Sequence, residues 1–445
     1  MLIKILAISG LTLRTAIRSR VFALLIAMVV ICIAGLPFVI QSDGTAAGQA
    51  QLFIHYAFGL TMALLSIAAA WSAAGAISLE VSGRQMHVLV TKPVHAAEIW
   101  LGKWLGLMAI NLVMLGLAGG LIYGLLRWTT RNAVLSADDQ VSLREEVLTA
   151  HSLVAPERPV GNPVLSGMGR TMFAVPPDGT QSWIFRVPER ANPGNALFLQ
   201  FKFATSRIER QMPVTGLWLI GADDGARPFR VLGSYTPHVN HSLKLPPAAP
   251  GQRLTVTYKN VETTAPGTPG TPGTPGTPGT PGTPATVLFA ADTGAQLLIR
   301  ESGFESNFIC ALLLVLARLA FCTALGLTVG ALFSFPVAVF TAFAFLFITG
   351  LSGWIGAETL MAEVDLSPAW LAGLLNTATN GIIQLAHFVT PPLARFEPLS
   401  FLPAGTFIPW TLVGTAWGVL ALGYGGALAV LGIWLFSRRE MGLAA

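Results

Sequence analysis

Charged residues make up only 11% of this 445-residue sequence, less than half of the roughly 25% found in a soluble domain. That shortage excludes a wholly soluble chain, because 53% of the residues are hydrophobic and must be covered by something other than water. Cysteine is scarce too. Cys32, Cys310 and Cys322 all lie in apolar runs, so the long polar middle of the chain has no disulfide framework and no Cys/His cluster at zinc spacing. The nucleotide loop GxxxxGK[ST] does not occur, nor do HExxH or GxSxG, which removes the common signatures of an ATPase, a zinc protease and a serine hydrolase. The first apolar run is too long for a signal-peptide core, and Gly35–Ser42 after it offers no small-x-small cleavage site. The formal charge of +5 calls for no nucleic-acid partner, since basic residues beside membrane helices produce such a surplus.

Long apolar runs are what the chain does have. Met1 to Arg20 sets Leu2, Ile3, Leu6, Leu13 and Ile17 against Lys4, Arg14, Arg18 and Arg20, the pattern of a basic amphipathic helix in a membrane interface. Spans of about 20 apolar residues, enough to cross a ~30 Å hydrocarbon layer, follow at Val21–Ile40, Phe53–Leu79 and Trp104–Leu126. Three more come late, at Phe308–Phe333, Val337–Gly356 and Trp410–Phe436. The second span is rich in Ala, Gly and Ser between Ala68 and Gly75, so close packing inside a bundle is expected. Only Ser334, Phe335 and Pro336 separate the fourth and fifth spans, which predicts an antiparallel pair. The stretch 369–389 is apolar but interrupted by Asn376, Asn380, Gln384 and His387, and is read as an interfacial or re-entrant helix.

Between Asn132 and Glu305 the composition changes to short alternating runs bounded by turn residues. Trp183–Val187, Leu197–Phe203, Gly216–Ile220, Arg253–Tyr258 and Thr286–Ala290 read as strands. Together they predict an inserted β-sandwich or jelly-roll-like domain. Within it, Pro266–Pro284 repeats Pro-Gly-Thr. The triplets are too few for a collagen helix and read as a solvated loop expansion between two strands. The expected organisation is therefore 1–131 (interfacial helix and three spans, with a polar loop at 80–103), 132–305 (β-rich), and 306–445 (three spans, with a loop at 357–409).

Basic residues decide the expected orientation. Arg14, Arg18, Arg20, Arg84, Lys92, Lys103, Arg438 and Arg439 fall on one side. The loop Glu358–Pro409 on the other holds Arg395 against Glu358, Glu363, Asp365 and Glu397. The positive-inside rule then predicts six transmembrane helices in a cell (inner or plasma) membrane, both termini in the cytoplasm, and residues 132–305 outside it.

Few residues suggest chemistry. Asp223, Asp224, Ser234, His238 and His241 share the β-region, but nothing in their spacing separates a triad from surface loops, and His238 with His241 is at most a weak metal pair. Arg318 is the basic residue well inside a span. It is either an intramembrane functional charge or a side chain that snorkels to the outer interface, the plainer reading and the one preferred. Asn111 reads as an interhelical hydrogen bond.

The loop Glu80–Gly106, EVSGRQMHVLVTKPVHAAEIWLGKWLG, resembles the first cytoplasmic loop of ABC-2 type transporter permeases. Glu80 stands for the acidic end of the second span, Lys92-Pro93-Val94 for the family's "KPv" turn, and Gly102-Lys103 for its "GK" pair. His95 and Ala96 stand where the family usually has a basic residue. The ending Phe436-Ser-Arg-Arg-Glu looks like the family's F-x-R-R-E close, and the stretches from Ser334 and Phe396 look like members with a large insert after the third span. The resemblance covers the helices, not the β-region. It implies a non-enzymatic transport subunit, an exporter by analogy, with no cofactor of its own and with ATP and Mg held by a separate ABC ATPase. It also implies a second permease subunit, the same or different, and Glu80, Arg84, Lys92, Pro93, Glu98, Gly102 and Lys103 as the elements coupling to the ATPase. The competing expectation is a membrane-anchored binding or scaffold protein acting through its β-domain.

Overall fold

The computed structural model describes residues 2–18, 20–40, 46–83, 95–132, 148–160, 164–165, 171–189, 197–206, 213–222, 228–237, 241–246, 248–262, 285–291, 294–354 and 390–438. The chain forms two units. One, Met1–Leu148 with Phe304–Ala445, is helical, and the other, Thr149–Gly303, is built of strands.

In the helical unit, α1 spans Leu2–Arg18, α2 Arg20–Val39, α3 Ala46–Ser82 and α4 Ala96–Asn132. After the strand unit come α5 (Phe304–Leu332) and α6 (Phe335–Trp354). The last helix, Trp410–Arg438, consists of α7 (Trp410–Ala416), a π-helical stretch (Trp417–Tyr424) and α8 (Gly425–Arg438). Among the described residues, five helices are long and apolar enough to cross a membrane: Phe22–Val39, Gly48–Ser82, Ala96–Arg131, Phe304–Leu332 and Trp410–Arg438. The fifth predicted span falls on α6, whose apolar stretch, Phe335–Gly350, is shorter. Pro336 is tolerated in the first turn of α6 because an N–H there has no intrahelical partner to lose. The predicted helix at 369–389 lies outside the described residues.

Side-chain contacts give each helix a direction. Phe58 packs edge-on against Phe308, and Met62 meets Arg318. A Cβ on Gly326 would strike the Ala70 carbonyl at 2.6 Å, and one on Gly330 the Ala74 carbonyl at 2.5 Å. The two numberings rise together, so α3 and α5 are parallel. Tyr123 meets Phe308, Gly119 meets Leu312 and Asn111 meets Thr323, so α4 is antiparallel to α5. Trp71 and Gly75 face Phe343 and Phe335, which sets α6 against α3. Phe321 meets Tyr424, and the Thr328 hydroxyl donates to the Leu428 carbonyl at 2.8 Å, so α8 runs with α5. Leu36, Val39 and Ile40 line one shallow cavity with Leu52 and Tyr56, as the ends of an antiparallel pair do. Along the chain the apolar helices therefore alternate in direction.

Small residues make this packing possible. Ala69, Ala70, Ala73 and Ala74 are fully buried, and the facing glycines of α5 bring the two backbones close, as helices in lipid require. The Ala-rich segment thus lies inside the bundle, as its composition predicts.

The strand unit has β1 (Thr149–Val154), β2 (Arg158–Val160), β3 (Val164–Leu165), β4 (Thr171–Val175), β5 (Thr180–Arg186), β6 (Leu197–Phe201) and β7 (Phe203–Thr205). It continues with β8 (Val214–Ala222), β9 (Phe229–Tyr235), β10 (His241–Leu245), β11 (Arg253–Asn260), β12 (Val287–Ala290) and β13 (Ala295–Gly303). All pairings among the described residues are antiparallel, in the orders β1-β13-β6-β10, β2-β5-β11-β8-β9 and β3-β4-β12-β7. The first and third sheets are continuous in chain, because only Lys202 separates β6 from β7 and a short turn closed by Gly294 N–H on the Ala290 carbonyl joins β12 to β13. Read as one layer, they face β5-β11-β8-β9 in the strand order of a jelly roll. The run Leu197–Phe203, expected as one strand, is two strands in different sheets.

Alternation builds the core. Trp183 and Phe185 of β5 and Leu254, Val256 and Tyr258 of β11 point inward. Trp183 stacks on Trp218 with ring centres 6.0 Å apart, Phe289 meets Trp183 at 5.0 Å, and Phe201 meets Trp218 at 4.4 Å. Buried Asn260 closes one end: its Nδ2 donates to the Ala285 carbonyl at 2.8 Å, while Ala285 N–H donates to the Glu262 carboxylate at 2.8 Å. These bonds join the two sides of the segment that carries the Pro-Gly-Thr repeat, which itself lies outside the described residues.

Candidate functional site

Where α3 ends and α4 begins, three helices are fastened together. Lys103 is only 4% exposed. Its ammonium donates to the Glu80 carboxylate across the helix pair and to the Ala76 carbonyl at 2.8 Å. A buried ammonium is costly unless paired and hydrogen-bonded, so this position holds together only with Glu80 opposite. The Ala76 carbonyl lies within the last two turns of α3, near the C-terminal end that favours a cation.

Glu98 has a different task. It is buried, and its carboxylate accepts from the His95 N–H at 3.1 Å while Glu98 N–H donates to the His95 carbonyl at 2.9 Å. The first of these is the Glu half of a capping box; the second goes to the His95 backbone carbonyl and closes the first turn of α4. Lys4 of α1 approaches the same carboxylate to 4.0 Å.

Gly102 is a packing residue. A Cβ there would lie 2.7 Å from Ile8 Cβ, and one on Gly106 would lie 2.8 Å from the Ser9 carbonyl oxygen. Gly102-x-x-x-Gly106 is thus a groove into which α1 settles, small residues four apart on one helix face. One side of α1 buries Ile5, while Leu2, Ile3, Leu6, Leu11 and Ile17 are exposed. Gly106, Ala76 and Ile8 escaped the reading of the sequence, although the Gly102–Gly106 spacing carried the signal.

The joint is also tied to the rest of the bundle. Trp104 donates its indole N–H to the Ala320 carbonyl at 3.2 Å, and Gly432 of α8 packs against both Trp100 and Thr328. Of the residues expected to couple to an ATPase, the structure thus brings Glu80 and Lys103 into direct contact and places Glu98 and Gly102 against α1. Arg84, Lys92 and Pro93 lie outside the described residues.

Arg318 stands at the midpoint of α5 (Phe304–Leu332), about 21 Å from either end at 1.5 Å per residue. Its one hydrogen bond among the described residues is to Met62 Sδ at 3.5 Å, and Nε has no partner. Asn111 donates to the Thr323 hydroxyl at 3.0 Å, the interhelical bond expected of it.

The polar residues of the strand unit form no reactive cluster among those described. His241 bonds the Thr236 carbonyl at 2.8 Å and lies against Phe201 and Phe203, which makes it a packed side chain. Asp223, Asp224 and His238 lie outside the described residues. No group of three metal-ligating side chains occurs among the described residues. No family model matches this chain, and no curated protein matches it either.

Proposed function

We propose that this chain is the membrane subunit of an ATP-driven transporter of the ABC-2 type, working as an exporter with a separate ATPase that docks on the segment between α3 and α4. The observation that carries this reading is the joint itself. Lys103 fastens α4 to Glu80 and Ala76 of α3, and α1 is seated on Gly102 and Gly106. A push on the segment joining α3 to α4 would reach both helices together as one rigid body, which is how a docked ATPase could tilt a bundle. The alternating directions of the apolar helices support six crossings with both ends on one side, and the distribution of Lys and Arg makes that side the cytoplasm.

The segment's own residues, including Arg84, Lys92 and Pro93, are the surface offered to the ATPase. Glu80, Glu98, Gly102 and Lys103 act behind it, as the fastening that transmits the motion. A second permease subunit completes the pathway. The ATPase, reconstituted with this chain in liposomes, should hydrolyse ATP several-fold faster than alone. Replacing residues 84–94 by a Gly-Ser linker should abolish that stimulation. Equal rates with and without the native segment would contradict the proposal.

One observation favours a second reading. The strand unit has a complete core of its own, with Trp183 and Trp218 fully buried, as a ligand-binding module on a membrane anchor would. In that case ATP turnover would be indifferent to this chain.

A further inference from the structure

Among the described residues, no acidic side chain pairs with the cation in the middle of α5. The Arg318 guanidinium has five N–H donors and cannot lose its proton in a protein. Its one bond among the described residues goes to a thioether, a weak acceptor. The acids of α3 and α5 are Glu80 and Glu305. Glu305 is paired with Arg127, Glu80 with Lys103, and Glu301 precedes the helix. An intramembrane charge left in this way marks a functional position.

A second observation points to what the cation holds. Hydroxyls inside helices usually bond the carbonyl one turn back, as Ser78, Thr323 and Thr328 do here. Thr61 and Ser66 of α3 do not. They are 2% and 5% exposed; the Thr61 hydroxyl has no partner among the described residues, and that of Ser66 has only the Cys322 thiol, a weak partner, beside it. They flank Met62, the residue that touches Arg318, and Ser66 neighbours Cys322 one turn beyond Arg318 on α5. Two buried donors and a fixed guanidinium thus share one stretch of the α3–α5 contact. A ligand for them must bring negatively charged oxygen, which both kinds of donor bind. It must also bring an apolar body, because Leu65 and Ala69 along α3 and Leu314 one turn before Arg318 are all buried and apolar.

We propose that Arg318, Thr61 and Ser66 form the head-group site for an anionic amphiphile, whose phosphate or carboxylate is held between α3 and α5 while its chain lies among the helices. That such a molecule is the cargo rests on the transporter reading; that it binds does not. Arg318 supplies a planar, bidentate clamp that a lysine would not reproduce.

The test is binding to the purified full-length chain in phosphatidylcholine nanodiscs, without any ATPase. Dioleoyl phosphatidic acid, oleate and inorganic phosphate are titrated separately and followed by tryptophan fluorescence and native mass spectrometry. Binding of phosphatidic acid or oleate is expected, at least tenfold weaker in Arg318→Gln. It should be about threefold to tenfold weaker in Ser66→Ala or Thr61→Val, each removing one hydrogen bond, and unchanged in Arg14→Gln/Arg18→Gln. The hydroxyl variants keep the guanidinium and so report even where Arg318→Gln fails to fold. Equal binding by wild type and all three site variants would overturn the proposal, as would inorganic phosphate binding as tightly as the amphiphiles. Head-group identity follows from which of phosphatidic acid and oleate binds. Loss of ATPase stimulation alongside intact lipid binding would sink the transporter reading and spare this site; the converse would do the opposite.

Discussion

Removing the Lys103 ammonium would leave the Glu80 carboxylate facing an apolar gap, whereas removing Glu80 would strand a buried ammonium. The two losses are unequal, because the Lys103 side chain is 5% exposed and that of Glu80 33%. Breaking a fully buried pair costs about 3–5 kcal/mol. Lys103→Met should cost less than that, about 1–3 kcal/mol, because Glu80 can still reach solvent. Glu80→Ala should cost more than Lys103→Met, and the double variant Glu80→Gln/Lys103→Met should recover most of the loss. Thermal unfolding in detergent checks the order. Additive losses in the double variant would show that the pair carries no coupling. The sequence made both residues visible as charges flanking a loop. That they meet each other was not legible, because a charge in isolation does not say whether it faces a partner protein or its own fold.

At the scale of elements, α1 depends on two missing side chains. Gly102→Leu forces atoms into the space now held by Ile8, and overpacking of this kind costs about 1–3 kcal/mol. The expected result is release of α1 from α4, seen as faster proteolysis at Arg14 and Arg18, while Gly116→Leu, where a Cβ would meet nothing within 4 Å, leaves cleavage unchanged. The strand unit offers the opposite case, an insertion that should hardly matter. Asn260 and Glu262 bond Ala285 directly, so the ends of the segment 263–284 are already held together. Halving the repeat changes loop-closure entropy by only about 0.6 kcal/mol, and the unfolding temperature of that unit should stay within a few degrees. A larger fall would mean that the repeat itself is part of the fold.

The elements differed in how plainly the residues announced them. Apolar runs with helical length gave all the long helices, since a continuous run has no other stable form in lipid. Strands with clean alternation, such as Thr180–Arg186 and Arg253–Asn260, were equally plain. Ala295–Gly303 was missed because its apolar residues Leu297–Ile299 are consecutive and the strand passes directly into the helix that follows. The division of Leu197–Thr205 at Lys202 was missed for a related reason: alternation marks which side chains point inward, and a strand that bends from one sheet into another keeps its alternation.

For the whole molecule, the order of helices carries the argument. Apolar runs predicted six spans; five helices among the described residues are long and apolar enough to cross a membrane, and the contacts Phe58–Phe308, Asn111–Thr323 and Thr328–Leu428 give the apolar helices alternating directions. The helical unit is interrupted between α4 and α5, whose neighbouring ends are joined by Arg127 and Glu305. An insert can enter and leave there without disturbing the bundle. The proposed function stands on the joint of α1, α3 and α4 and on the resemblance of its sequence to permeases that work with separate ATPases. Co-purification tests it most directly. The full-length chain, expressed with each ABC ATPase of the same cell and solubilised in mild detergent, should retain one of them through two chromatographic steps, and should lose it when Arg84, Lys92 and Pro93 are replaced by alanine. A chain that purifies alone, or holds an ATPase equally well without those residues, would contradict the account.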